Sequence, residues 1–124
     1  MADYAGGCHC GAVRFVAVAE LAAATECNCS ICTKKGAIHH RVDSLRLLSG
    51  QEALRLYQFG EMVAKHWFCG QCGIHVFTNP RAAPDKVAVN LRCLDDFHLL
   101  RQGLEVRAFD GQNWEQAMAG FKFD

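Results

Sequence analysis

Eight cysteines stand in a chain of 124 residues: Cys8, Cys10, Cys27, Cys29, Cys32, Cys69, Cys72 and Cys93. A disulfide needs two Cα atoms about 4.4–6.8 Å apart with converging Cβ vectors. Cysteines packed this tightly along the chain must look elsewhere for such partners. A metal ion gathers three or four thiolates at about 2.3 Å each, and close neighbours help it. The spacing therefore favours metal ligation over disulfides. The start, MADYAGGCHCG, lacks the charged and apolar stretches of a secretory signal, so a reducing, cytoplasmic setting is expected, which again favours ligation.

Cys8-His9-Cys10 is a C-x-C pair; entering a strand, both thiols would share one face. Cys69-Gly70-Gln71-Cys72-Gly73 is a C-x-x-C knuckle whose glycines permit a tight turn. Such a knuckle is half a metal site and needs two more thiolates. Cys27-Asn28-Cys29-Ser30-Ile31-Cys32 places three thiols within one short segment, enough for three ligands with the fourth tetrahedral position open. An open position separates a catalytic zinc from a closed structural one. The simplest partition puts Cys8, Cys10, Cys69 and Cys72 in a closed site and Cys27, Cys29 and Cys32 in an open one. Zinc is the default ion for such sulfur sets. Cys93, after an apolar strand, reads as a buried small hydrophobe; as a fourth ligand it would instead close the second site.

These residues need a scaffold. The chain length fits one compact domain, 1–124, with half its residues hydrophobic. Apolar alternation predicts strands over 13–18, 54–59, 63–68, 74–78, 87–91 and 106–109, with a hairpin turn at Gly60-Glu61-Met62. Ser30–Lys35 is expected as a single helical turn closed by Gly36, and 95–103 as another short one. The segment 21–25 is ambiguous, because its leucine and alanines favour helix but it is very short. The composite is mainly β and antiparallel, with short helices. Thirteen basic residues balance thirteen acidic ones, which leaves no footprint for nucleic acid or an anionic membrane. No apolar run is long enough for a spanning helix. A thin core of this size gains from a metal clip between distant segments.

GGCHCGAVRF, CNCSICTKKG, FCGQCGIHVF and VNLRCLDD, in this order, resemble the glutathione-dependent formaldehyde-activating enzyme family, which also includes centromere protein V. The likeness covers roughly residues 6–96. It implies a β-tent fold with two zinc ions per chain, one on Cys8, Cys10, Cys69 and Cys72 and a second on Cys27, Cys29 and Cys32. It also implies the joining of glutathione to formaldehyde as S-hydroxymethylglutathione, a carbon–sulfur lyase-type reaction.

A zinc with three thiolates is a weak Lewis acid suited to binding another thiol and lowering its pKa. The first functional reading is thus a carbon–sulfur lyase-type enzyme acting on a glutathione-like thiol and a small aldehyde. The alternative is a non-catalytic, zinc-stabilised binding module, because a fold does not fix an activity. Among the remaining residues, His39 or His40 could line the open site as an acid. His75 reads as a surface or satisfied histidine, His9 as pointing away from metal, and His66 and His98 stand in no distinctive context. Lys34, Lys35, Arg41 and Arg92 could meet ligand carboxylates, although solvated charge is the blander reading of each. Trp67 and Phe68 read as core, and Trp114 has no assigned place.

Overall fold

The computed structural model describes residues 1–120; the reading of 1–124 as one domain includes 121–124, which lie outside the described residues. Among the described residues, ten strands form two sheets. One is three-stranded in the order β1-β2-β5, from Ala2–Gly7, Arg14–Ala19 and Ser44–Ser49. The other has the order β10-β3-β4-β9-β8-β7-β6. Its strands are β3 (Ala23–Cys27), β4 (His39–Val42), β6 (Leu54–Tyr57), β7 (Lys65–Cys69), β8 (His75–Asn79), β9 (Val87–Asn90) and β10 (Glu105–Phe109). Three short helices, α1 (Ser30–Lys35), α2 (Phe97–Leu100) and α3 (Trp114–Gly120), sit in the connections. The expected mainly β architecture is present. Among the described residues, no helix is long and apolar enough to cross a membrane.

Strand β2 shows how sequence makes the core. Phe15, Ala17 and Ala19 are buried, while Arg14, Val16 and Val18 between them are only half-buried, as the two-residue period of a strand requires. Phe15 is fully enclosed with Val13, Ile38, Val76, Val89 and Leu91. Truncating a buried phenylalanine of this kind costs about 3–5 kcal/mol. The core thus joins the small sheet to β4, β8 and β9 of the large one. A bidentate pair between Arg14 and Asp95, at 2.9 and 2.6 Å, ties β2 to the turn before α2.

Several expectations need correction. Cys8 and Cys10 lie in the turn between β1 and β2, not on a strand, so their convergence comes from the turn and not from pleat periodicity. The ambiguous segment at 21–25 joins a strand, β3, because it pairs with both β4 and β10. Strands β1, β4 and β5 were not expected. The connection at Gly60-Glu61-Met62 is longer than a hairpin turn: β6 ends at Tyr57 and β7 begins at Lys65. The pairing is antiparallel except for β10, which runs parallel to β3 with Phe109 opposite Cys27. That exception carries the C-terminal part of the chain back to the three-cysteine segment.

Candidate functional site

The first cluster joins two turns. Cys8 and Cys10 come from the β1–β2 turn, Cys69 ends β7, and Cys72 follows in the knuckle before β8. Gly73 takes φ 79°, a conformation costly to residues with a Cβ. Its N–H donates to the Cys69 carbonyl at 2.7 Å, closing the knuckle. The four Sγ atoms all lie within 4.8 Å of one another. Cys8 Sγ is 3.6 Å from Cys10 Sγ, which is 3.7 Å from Cys69 Sγ. Bonds of about 2.3 Å to one tetrahedral ion place sulfurs about 3.8 Å apart, whereas a disulfide needs about 2.05 Å. Backbone N–H groups of Val13 and Gln71 donate to Cys8 Sγ and Cys69 Sγ at 3.3 and 3.4 Å. This donor set fits a soft divalent cation.

The second cluster is built by one strand end and one helical turn. Cys27 closes β3, Cys29 caps α1 and Cys32 lies within it. Gly36 ends that helix in the left-handed conformation, φ 65°, and its N–H donates to the Cys32 carbonyl. The three Sγ atoms lie within 4.8 Å of one another. Cys29 N–H donates to Cys27 Sγ at 3.4 Å and Cys32 N–H to Cys29 Sγ at 3.5 Å. As thiols, the three compete for protons: donation from Cys27 and Cys32 holds Cys29 far below the ordinary thiol value, and both donors are raised. A cluster that stabilises a thiolate this readily also fits a cation. Among the described residues, no fourth cysteine, histidine or carboxylate joins it.

Cys93 belongs to neither cluster. Its Sγ donates to the His75 carbonyl at 3.3 Å and receives Asn90 Nδ2–H at 3.7 Å. Burial pushes this thiol up to about 12. The blander reading of Cys93 fits this position.

The C-terminal segment walls the second cluster. Asn28 N–H donates to the Phe109 carbonyl at 3.2 Å. Gln112 donates from its backbone to Asn28 Oδ1 and from its side chain to the Asn28 carbonyl, both at 3.1 Å. Gly111 packs so closely that a Cβ there would lie 2.5 Å from Cys27 Sγ and 2.8 Å from Cys29 Cβ. The sequence alone left this region without a role.

A cleft of about 600 Å³ opens directly over Cys27, Cys29 and Cys32. The 58–64 connection lines it with Phe59 and Val63, the β8–β9 connection with Pro80 and Arg81, and α3 with Trp114. Trp114 carries the Arg81 guanidinium 3.8 Å above its ring. His39 and His40 both face the cleft, as does Arg41. His39 Nε2 sits 3.6 Å from Cys32 Sγ, and burial, with Lys35 nearby, lowers this imidazole to about 3. In its Nε2–H tautomer neutral His39 donates to the sulfur, and its buried Nδ1 has no partner.

The other basic residues separate by position. Lys34 is exposed, and Arg92 donates to the Gly36 carbonyl at 3.1 Å. Lys35 turns inward: its Nζ lies 3.0 Å from His66 Nδ1 and 3.2 Å from His75 Nε2. His75 is thus a satisfied, buried histidine, while His66, which no local motif marks, lines the cleft. Trp67 stacks on Phe77 and donates to Asn79 Oδ1 at 2.8 Å, a packing role.

Residues 3–110 match the model of the family described as glutathione-dependent formaldehyde-activating enzyme. A crystal structure of a Rhodobacter sphaeroides protein is similar at 41% identity and a TM-score of 0.70, covering 82% of this chain and 97% of that one. With the family model spanning most of its length, and two cysteine clusters each able to hold a metal ion, this chain belongs to the glutathione-dependent formaldehyde-activating enzyme family.

Proposed function

We propose that this chain is a zinc-dependent carbon–sulfur lyase-type enzyme that joins a glutathione-like thiol to a small aldehyde. The observation that carries this reading is the contrast between the clusters. Four sulfurs close on one another at the base of two turns, whereas three sulfurs face a cleft large enough for a small ligand. Cys8, Cys10, Cys69 and Cys72 would hold a structural zinc, and Cys27, Cys29 and Cys32 a second one. When bound at the three-cysteine site, zinc supplies a position at which an incoming thiol ionises near neutral pH.

The chain's own residues do the rest. His39 donates from Nε2 to Cys32 Sγ and so helps hold that sulfur as a thiolate. Arg41 and Arg81 place cationic groups along the cleft, where the carboxylates of a glutathione-like ligand would lie. Phe59, Val63, Pro80 and Trp114 give it apolar walls that reduce competing water. Thiol-rich chemistry of this kind belongs in a reducing compartment, so the activity is assigned to the cytoplasm.

The test is thiol-dependent loss of formaldehyde with zinc-loaded protein, measured against the spontaneous reaction. Wild type is expected to exceed that background and Cys29→Ser to match it. Equal rates for the two proteins would sink the reading.

A further inference from the structure

Lys35 is placed where a lysine is costly. It ends α1 with its ammonium withdrawn from solvent, and burial lowers its pKa. The partners within hydrogen-bond distance are two imidazoles, His66 on β7 and His75 on β8. An ammonium can only donate. His66 Nδ1 and His75 Nε2 must then accept, and the His66 ring proton resides on Nε2. The Thr78 hydroxyl lies 3.0 Å from the same His75 Nε2, so that nitrogen is shared between two polar groups at the rear of the cluster.

His66 differs from His75 in lining the cleft. The ring stacks on Phe59 at 5.7 Å and tilts against Tyr57 at 6.5 Å, and it lines the cleft that contains Cys27, Cys29 and Cys32. Its Nδ1 meets Lys35, and its second nitrogen, Nε2, lies across Cε1 in the same ring. One imidazole thus stands between a buried amine whose pKa burial lowers and the cavity where the reaction is assigned. The charged and titratable groups around Lys35 are the thiols of Cys27, Cys29 and Cys32, His39 on β4, His66 and His75.

We infer that Lys35 and His66 form a proton relay that protonates the oxygen of the aldehyde as the carbon–sulfur bond forms. This rests on the thiol–aldehyde reading above. In the step, the thiol sulfur bonds to the carbonyl carbon and the C=O π pair moves onto oxygen. That oxygen takes the proton from His66 Nε2, and Lys35 Nζ passes one to His66 Nδ1. The proton lost as the thiol S–H bond breaks restores the Lys35 ammonium, and a tautomer exchange resets His66. No proton is gained or lost overall, as addition of a thiol to an aldehyde requires. His66 acts on the substrate; Lys35 is the positioning and proton-supplying residue behind it.

Nitrogen-15 NMR of the zinc-loaded protein tests the arrangement without turnover: His66 is expected neutral, with its proton on Nε2 and Nδ1 accepting. A proton on Nδ1 would overturn the relay. Kinetics test its use. His66→Phe is expected to lower kcat about 100-fold with little change in thiol KM, the range of general acid catalysis. Lys35→Arg keeps the positive charge but never deprotonates, so it should lose kcat likewise, whereas a merely structural cation would be rescued by arginine. The pH dependence of kcat should change in both variants. An active wild type with kcat retained within threefold in both variants overturns the relay alone. A wild type no faster than Cys29→Ser overturns the thiol–aldehyde reading and the relay with it.

Discussion

Gln112 is latched to Asn28 twice, by its backbone N–H to Oδ1 and by its side-chain amide to the carbonyl, each at 3.1 Å. Asn28 in turn donates to Asp110 Oδ1 at 3.0 Å, and Asp110 accepts from Asn113 at 2.9 Å. The turn between Cys27 and Cys29 is therefore shaped by residues more than eighty positions away. A three-ligand site has little geometric redundancy, so its affinity depends on how firmly that turn is held.

Breaking the latch should empty the second site while sparing the first. Asn28→Ala removes two exposed side-chain hydrogen bonds, those with Asp110 and the Gln112 N–H, each worth at most about 0.5–1.5 kcal/mol. Gly111→Ala drives a methyl against Cys27 Sγ and Cys29 Cβ. Both variants are expected to remain folded and to hold one zinc per chain where wild type holds two. Metal stoichiometry after gel filtration, with circular dichroism as the check on folding, reads the outcome.

The four-cysteine cluster should matter far more for stability. It ties the turn after β1 to the β7–β8 knuckle across some sixty residues. Structural zinc contributes about 10–16 kcal/mol in zinc-finger peptides, which is comparable to the whole stability of an ordinary domain, about 5–15 kcal/mol. Cys69→Ser is expected to lose the cooperative thermal transition, and Cys29→Ser to keep it. A cooperative melt in Cys69→Ser would show that the core suffices without the clip.

Cys93 is expected to be dispensable for metal. Cys93→Ala should retain both zinc ions and lose about 1–2 kcal/mol through its buried contacts with the His75 carbonyl and Asn90. In the folded wild type this thiol should resist alkylation, since burial raises its pKa to about 12 and only thiolates react readily. Metal stoichiometry and urea melts of Cys93→Ala measure the first point, and mass spectrometry after a timed iodoacetamide pulse the second. Loss of one zinc in Cys93→Ala would make it a ligand after all.

Acid should destabilise the fold from near neutrality downward. Burial, with Lys35 close by, lowers His66 to about 4, against an ordinary value near 6.5. Between those values the unfolded chain binds a proton that the folded chain refuses, so stability rises with pH across that window. The contribution is fully present above about 6.5 and is lost as pH falls toward 4. Protons competing for thiolate ligands act in the same direction. The slope in His66→Gln should therefore be shallower than in wild type but still positive, as read by urea titrations at pH 4.5, 5.5 and 6.5.

Local signals were readable where local physics decides. Helix α1 ends at Gly36 because only a glycine adopts that cap cheaply, and its bounds followed from this. Strands β6 to β9 followed from alternation, and the cysteine grouping from spacing. Strands β1 and β4 escaped notice because their small or polar residues, Ala2–Gly7 and His39–Val42, lack an apolar period. The inward cluster was hidden for another reason. Lys35 lies 31 residues from His66 and 40 from His75, and the β7–β8 register, with His66 opposite Thr78 and Phe68 opposite His75, brings the two rings together. Such proximity is a property of strand pairing that no single segment encodes.

The parallel seating of β10 on β3, with Phe109 opposite Cys27, sets an order of events during biosynthesis. Every sulfur of the anchoring quartet has been translated once Cys72 is made, and domains tend to organise from the N-terminus during synthesis. The edge strand and Gly111 that shelter the other trio emerge from the ribosome some forty residues later. A nascent chain therefore completes the four-cysteine turns before the three-cysteine segment is walled in, so a premature stop ahead of β10 would leave Cys27, Cys29 and Cys32 without the wall that shields them from oxidants.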